Sequence, residues 1–451
     1  MAATTRGAVD DTRVVRPARR LRGRPHLPGD KSISHRALLL ALLADGQSDI
    51  AAAGDGADVR STASAIEALG ATVERLREDD GRVDYRVISR GRDAIQQPAG
   101  VIDCGNSGTT ARLLLGVLAG VPLRVTLDGD ESLRRRPMRR VADPLREMGA
   151  QIEGPGDGAR LPLTIEGRAG LLPIDHASPV PSAQLKSAIL LAGLAADGTT
   201  RVREPVATRD HTERMLRARG VRVEEASGAD GSNEVSVAGP TDVRAVDDRV
   251  PADPSAAAMW LVAGSIHPDA ELTLTGVSTN PTRRAIIDLL QRMGADIDEH
   301  SLSASEAEGG EPLADLVVRS SRLRAIDLSP VDVAAAIDEI PILCLAAAVA
   351  QGRSRIRGAG ELRHKESDRI AGIVAGLSSL GARIEADGDD ILIDGDSELV
   401  GNVTDSLADH RLAMTFAIAG LIATGETNVR QASSADISYP GFFADLEGVS
   451  A

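Results

Sequence analysis

Six segments along the chain are apolar nearly all round: Ser34–Gly46, Gly108–Gly120, Ser182–Gly198, Asp253–Pro268, Asp338–Gly352 and Asp409–Gly425. Runs such as Ser34-His35-Arg36-Ala37-Leu38-Leu39-Leu40-Ala41-Leu42-Leu43 carry no polar face, and such a helix is expected to be buried on every side. Each ends in a Gly or Pro stop followed by a short β-like run, and the stops recur every 70 to 84 residues. A second marker interleaves with the first: an amphipathic helix that ends in Gly and runs into an extended apolar segment. It occurs at Gly70-Ala-Thr-Val, Gly149-Ala-Gln-Ile, Gly220-Val-Arg-Val, Gly294-Ala-Asp-Ile and Gly381-Ala-Arg-Ile, with a cut-short sixth copy at Gly448-Val-Ser. Ile370, Ile373, Val374 and Leu377 show the i, i+3, i+4, i+7 stripe of a half-buried helix. Glycine suits the left-handed position that closes such a helix. The predicted unit is buried helix, strand, amphipathic helix, strands. Six units point to an α/β (α+β) chain of two domains with three units each. The period is too long for the common solenoids.

Composition narrows the function. The 451 residues are 42% hydrophobic and 26% charged, enough for about two or three domains without metal or disulfide staples. A formal net charge of −15 argues against nucleic-acid or anionic-membrane partners. Three Phe, two Tyr and one Trp leave few platforms for stacking bases. Cys104 and Cys344 stand apart and make neither a disulfide framework nor a thiolate metal site. The longest apolar run, Ile340–Ala350, is too short to span a membrane. The Arg-rich first 24 residues have no secretory apolar region, so a soluble, cytoplasmic protein with a ragged N-terminus is expected. P-loop, nucleophile-elbow, zincin and dinucleotide fingerprints are absent, which disfavours ATP, nicotinamide and catalytic zinc.

Chemistry collects just before the buried helices. There stand Asp30-Lys31-Ser32-Ile33-Ser34-His35-Arg36, Gly105-Asn106-Ser107-Gly108-Thr109-Thr110-Ala111-Arg112, Ser182-Ala183-Gln184, Asp338-Glu339 and Asp409-His410-Arg411. Capping explains the small polar residues, and it is all that Asp253-Pro254 suggests. It does not explain Lys31, Arg36, Arg112 and Arg411. Helix N-termini joined by Lys and Arg make sites for phosphate and carboxylate groups. Two loop clusters add cations. Ser132–Arg140 holds five arginines, of which Arg139 and Arg140 read as solvated surface. His364–Arg369 reads as the opening of a helix, with Lys365 and Arg369 four apart on one face and Glu366 beside them, a candidate acid or base. On pattern alone the chain grips small, multiply charged anions.

These motifs, in order and at matching spacing from about residue 20 to 445, resemble the 5-enolpyruvylshikimate-3-phosphate synthase family. Leu27–Arg36, Gly105–Arg112, Arg363–Arg369 and Asp409–Arg411 carry the resemblance. It implies an inside-out α/β barrel of the enolpyruvyl transferase type, its units of βαβαββ kind. It implies a discontinuous domain of residues 1–29 plus 251–451, an inserted domain of residues 30–250, and an active site between them. The implied reaction moves the enolpyruvyl group of phosphoenolpyruvate to the 5-hydroxyl of shikimate 3-phosphate and releases phosphate, with no metal or cofactor. Shikimate 3-phosphate would meet Lys31, Ser32, Arg36, Ser182, Gln184, Arg209, Asp338 and Lys365. Phosphoenolpyruvate would meet Lys31, Gly108, Arg136, Gln184, Arg369 and Arg411, with Arg136 preferred over Arg134 and Arg135. Asp338 would take the hydroxyl proton and Glu366 would protonate the methylene carbon, with Lys31 assisting. The resemblance further implies a monomer that binds the inhibitor glyphosate, with the retained Gly108 favouring sensitivity. Some members carry a Lys just before the segment that here reads Ile437-Ser438-Tyr439-Pro440, and this chain has none. The alternatives are the UDP-N-acetylglucosamine enolpyruvyl transferase, whose first motif has Lys-Asn where this chain has Lys31-Ser32, and a non-catalytic small-anion-binding protein. An RNA 3′-phosphate cyclase is built from related units but would need a nucleotide-accepting His.

Overall fold

The computed structural model describes residues 11–79, 81–228, 231–302 and 310–450. All six apolar segments are helices: Lys31–Leu43, Gly108–Ala119, Ala183–Gly193, Pro254–Ile266, Ile340–Val349 and His410–Gly420. Their side chains are buried around nearly the whole circumference, as an apolar sequence without a polar stripe requires. Asp30, Ser107, Ser182, Asp253 and Asp409 cap five of them through a side-chain oxygen that accepts a backbone N–H of the first turn. Glu339 stands at the same place before Ile340–Val349 without capping it.

The amphipathic helices are Ala57–Ala68, Arg139–Glu147, His211–Ala218, Ala285–Arg292, Arg369–Ser379 and Phe442–Val449. The glycines beyond the first five, Gly70, Gly149, Gly220, Gly294 and Gly381, all have φ between 82° and 104°, a region where a side chain is strained. The sixth copy departs from the pattern. Gly448 lies inside the last turn of its helix, and the strand beyond shrinks to a bridge between Ser450 and Leu21.

Each unit has its own sheet. In the second, Ile102–Asp103 runs parallel to Arg124–Asp128, which pairs antiparallel with Leu163–Glu166 and through it with Gln151–Glu153. The third and fifth units repeat that order. The other three borrow strands from distant sequence. Val243–Arg244 and Asp248–Arg249 complete the first sheet, Leu21–Gly23 the fourth and Thr12–Val15 the sixth. Sheets lie outside and alternate buried with exposed positions, as in Arg82–Arg90, while the uninterrupted apolar helices pack together inside.

Two hydrophobic cores result. One gathers residues from Ile33 to Val250, here the first half; the other gathers Val15, Leu21, Leu27 and residues from Ala252 to Val449, here the second half. The chain passes between them twice, side by side. Gly29 and Ala252 form an antiparallel bridge, Asp30 N–H donates to the Pro251 carbonyl at 2.7 Å, and Asp253 N–H donates to the Pro28 carbonyl at 3.0 Å. A Cβ on Gly29 would run into the backbone of Ala52–Gly54, so only glycine permits this crossing. No helix among the described residues is long and apolar enough to cross a membrane.

Candidate active site

The starts of the buried helices are wired to one another. In the first half, Arg112 Nη1 donates to Gln184 Oε1 at 2.6 Å, and Gln184 Nε2 donates to Thr109 Oγ1 at 3.0 Å. Arg36 donates to Thr212 Oγ1 (2.7 Å), Ser187 Oγ (2.8 Å) and the Ser32 carbonyl (2.9 Å). Lys31 Nζ sits 3.1 Å from Asp58, and Arg209 Nη1 donates to Ser32 Oγ at 3.3 Å. Ser182, half-buried, spends its hydroxyl as a helix cap two residues before Gln184. Gly108 faces two guanidiniums: a Cβ there would lie 2.9 Å from Arg112 Nη1 and 3.4 Å from Arg136 Nη1.

In the second half Arg369 is the hub. Its Nε donates to Asp409 at 2.8 Å, its Nη2 to Glu366 at 2.6 Å, and its Nη1 lies 3.6 Å from Asp338. Lys365 Nζ is 3.4 Å from Asp338, and Arg411 donates to the Ser255 carbonyl at 3.2 Å. Among the ion pairs that cross between the halves are Arg209–Asp338 at 2.6 Å, Arg136–Glu366 at 3.4 Å and Arg140–Glu361 at 3.4 Å. Arg209, Asp338, Arg136 and Glu366 thus meet at one seam between the two cores, with Lys365 and Arg369 beside Asp338.

The electrostatics follow from this crowding. Burial alone would raise the Asp338 carboxyl, but Lys365, Arg209, Arg411 and Arg369 outweigh it and hold Asp338 well below the usual carboxylate range. Burial likewise opposes the charge on Glu366, and Arg369, Arg136 and Lys31 overcome it, so Glu366 is also held low. Both acids are ionised at neutral pH. Burial brings the Arg112 guanidinium down to about 9, helped by Arg140 and Arg136, and Arg36 down to about 10. Burial beside Arg411 and Lys31 keeps His410 neutral. Cys104 is pushed up to about 12 by burial and is inert as a nucleophile.

Three readings are corrected. Lys365 is not on the helix with Arg369: that helix starts at Arg369, capped by the Asp368 side chain, and Lys365 ends a preceding 3₁₀ turn, Gly360–His364. Both still reach Asp338, from different elements. Arg140 is not solvated surface, because it spans the seam to Glu361. Asp253 does more than cap: its second carboxylate oxygen accepts the Lys31 N–H at 3.3 Å. Arg134 and Arg135 pair with Asp128 and Glu131 at the surface, whereas Arg136 turns inward to Asn106 Oδ1 at 2.6 Å.

One group escaped the sequence entirely. Buried Arg283 donates to Asp253 at 3.1 Å and Ser255 Oγ at 3.0 Å, and lies 3.7 Å from Asp30 and 3.9 Å from Glu339. It thus neutralises three carboxylates whose chain neighbours include Lys31 and Asp338. These acids lie far apart in sequence; the only local hint was a polar run, Thr279–Arg284, ahead of an apolar helix. Among the described residues, Asp210, His211 and Glu311 are the group close enough to share a metal ion, but the Asn280 amide donates to both carboxylates and His211 pairs with Glu311.

Residues 15–446 match the model of the family described as EPSP synthase (3-phosphoshikimate 1-carboxyvinyltransferase). The chain belongs to the EPSP synthase family. Its enzyme class is thereby a transferase of the carboxyvinyl group, within aromatic amino-acid biosynthesis. A relative called 3-phosphoshikimate 1-carboxyvinyltransferase, from Gloeobacter violaceus, is 51% identical over 436 residues, 96% of this chain and 98% of its own. The solved EPSP synthase of Acinetobacter baumannii superposes with a TM-score of 0.84 at 37% identity, covering 97% of this chain and 98% of the other. The enolpyruvyl transferase NikO of Streptomyces tendae shares the fold at 19% identity, with a TM-score of 0.76 and 98% coverage of both chains. These matches support the two-domain α/β fold and favour the EPSP synthase reading over the UDP-N-acetylglucosamine enzyme.

Proposed function

We propose that the seam binds shikimate 3-phosphate through Lys31, Ser32, Arg36, Ser182, Gln184, Arg209, Asp338 and Lys365. Phosphoenolpyruvate lies against Lys31, Gly108, Arg136, Gln184, Arg369 and Arg411. The observation that carries this reading is the pair of carboxylates, Asp338 and Glu366, each gripped by a guanidinium from the opposite half. A substrate phosphate or carboxylate competes for those same guanidiniums.

The competition supplies the chemistry. When the phosphate of shikimate 3-phosphate takes Arg209, Asp338 loses one of the cations that hold its proton affinity down and can accept the 5-hydroxyl proton. When phosphoenolpyruvate takes Arg136 and Arg369, Glu366 becomes basic enough to carry a proton to the methylene carbon. The 5-oxygen bonds to C2 as the methylene becomes a methyl, giving a tetrahedral intermediate. Loss of one methyl proton and of the phosphate then restores the double bond in the product. Lys31, at the head of its helix, stabilises the developing charge. Residues 1–29 plus 251–451 and residues 30–250 act as the two closing bodies, and closure excludes water from the site. Because one chain supplies both sides of the seam, the enzyme works as a monomer. Glyphosate competes at the phosphoenolpyruvate subsite, and a cytoplasmic location goes with the pathway.

Asp338→Asn tests the assignment. It keeps the shape of the side chain but removes the base, so kcat should fall roughly 10²- to 10⁴-fold with both KM values changed only a few-fold. Unchanged turnover would remove Asp338 from that role.

A further inference from the structure

In the strip Thr208–Thr212, successive side chains are fixed first in one half and then across the seam. Thr208 is tied down within the first half. Its hydroxyl donates to Glu204 at 2.6 Å, and its carbonyl accepts from Lys186 Nζ at 3.3 Å. Lys186 is itself buried between Glu204 (2.9 Å) and Glu213 (2.7 Å). Arg209 reaches across to Asp338. Asp210 accepts from Asn280 Nδ2 at 2.7 Å, and the same amide donates to Glu311 at 2.8 Å. His211 Nδ1 lies 2.7 Å from the other Glu311 oxygen, and Arg214 donates to the Gly310 carbonyl at 2.9 Å. Thr212 returns to the first half, accepting from Arg36 and donating to Ser187 Oγ, both at 2.7 Å.

We propose that Asn280 and Glu311 of the second half, by clamping Asp210 and His211 of the first, form a positioning device for Arg209. The inference rests on the reading of Arg209 as a partner of the shikimate 3-phosphate phosphate group. Arg209 sits in an irregular stretch between the strand Gly198–Glu204 and the helix His211–Ala218, so no ladder or helix bonds fix its backbone. Its contacts on Asp338 and Ser32 are the ones an arriving ligand disturbs. When the phosphate takes the guanidinium, the Arg209–Asp338 link between the halves is lost. The Asp210–Asn280 and His211–Glu311 bonds, one and two residues away, remain. They keep the halves in register while Asp338 is released to act. His211 and Glu311 are both almost completely buried. At such a place a hydrogen bond to a charged group retains most of its strength.

The test is a double-mutant cycle on the full chain. Arg209→Ala, Glu311→Ala and the double variant are assayed by phosphate release, with KM for each substrate and kcat determined separately. Glu311→Ala should raise KM for shikimate 3-phosphate roughly ten-fold, the size of one lost charged hydrogen bond, and leave KM for phosphoenolpyruvate within two-fold. With Arg209 already removed, Glu311→Ala should add less than two-fold. The same ten-fold effect with and without Arg209, or an equal rise in both KM values, would overturn the proposal, since either describes a merely structural pair. If Glu311→Ala does not fold, the isosteric Glu311→Gln takes its place in the cycle with the same expectations. Should Arg209→Ala alone leave KM for shikimate 3-phosphate unchanged, the phosphate reading of Arg209 falls, and that failure is visible in the single variant.

Discussion

Replacing Gly108 by alanine adds one carbon beside Arg136, proposed to meet phosphoenolpyruvate, and beside Arg112, which holds the proposed ligand residue Gln184. Gly108 opens its helix outside the left-handed φ region, so alanine adds no backbone strain and gains up to about 1 kcal/mol of helix propensity. The new Cβ would lie 2.9 Å from Arg112 Nη1 and 3.4 Å from Arg136 Nη1. Both arginines are flexible ends and can yield, but neither is free. Arg112 holds Gln184 at 2.6 Å, and Arg136 holds Asn106 at 2.6 Å and faces Glu366 at 3.4 Å. Displacing them by a few tenths of an ångström weakens the pair as a fork for an anion. Losing one charge-assisted contact costs about 1.5–3 kcal/mol, or roughly 10- to 100-fold in phosphoenolpyruvate affinity. KM for phosphoenolpyruvate and the inhibition constant of glyphosate should both rise by that factor. KM for shikimate 3-phosphate should stay within about three-fold, and Tm should hold or rise. Steady-state phosphate release and thermal unfolding read all four quantities. An unchanged KM for phosphoenolpyruvate would place that substrate away from Arg112 and Arg136 and refute the reasoning.

Two further perturbations probe the scaffold. A Cβ on Gly376 would fall inside the van der Waals surface of the buried Phe416 ring. Gly376→Ala should therefore cost about 1–3 kcal/mol and lower Tm by several degrees, with kcat of the folded enzyme unchanged; an unaltered Tm would mean the helices part freely there. His35 is held well below its ordinary pKa by burial, with Lys31 and Arg36 adding to the effect. Below about pH 6.5 the unfolded chain takes up a proton there that the folded chain refuses. Stability should then fall as pH falls from 6.5 toward the folded pKa, by up to about 1.4 kcal/mol per pH unit from this group. His35→Gln should flatten that slope in denaturant titrations between pH 5 and 7, and an identical slope in both proteins would rule the residue out as its source.

The helical skeleton was legible because each buried helix lacks a polar face, and because each of the first five amphipathic helices ends on a glycine that the backbone requires. The cations before the buried helices were legible as anion-binding chemistry for a related reason: capping accounts for Ser182 or Asp409 but not for Lys31 or Arg411. What failed was local geometry inferred from spacing. Lys365 and Arg369 are four apart, yet Asp368 caps between them and the helix begins only at Arg369. The pairing of an aspartate with a following apolar run, Asp368-Arg369-Ile370, carried that information. Arg283 and Glu311 were beyond reach because their roles depend on crossings that bring residues 30, 253 and 339, or 210, 211 and 280, together from distant parts of the chain. The same topology explains why Thr12–Val15 and Leu21–Gly23, at the N-terminus, close sheets of the second half.

The most direct test of the account is phosphate release from phosphoenolpyruvate by the purified chain, in chelator, with either shikimate 3-phosphate or UDP-N-acetylglucosamine as acceptor. Release with shikimate 3-phosphate and not with the nucleotide sugar is the predicted result. Release that requires the nucleotide sugar, or no release with either acceptor, would contradict it.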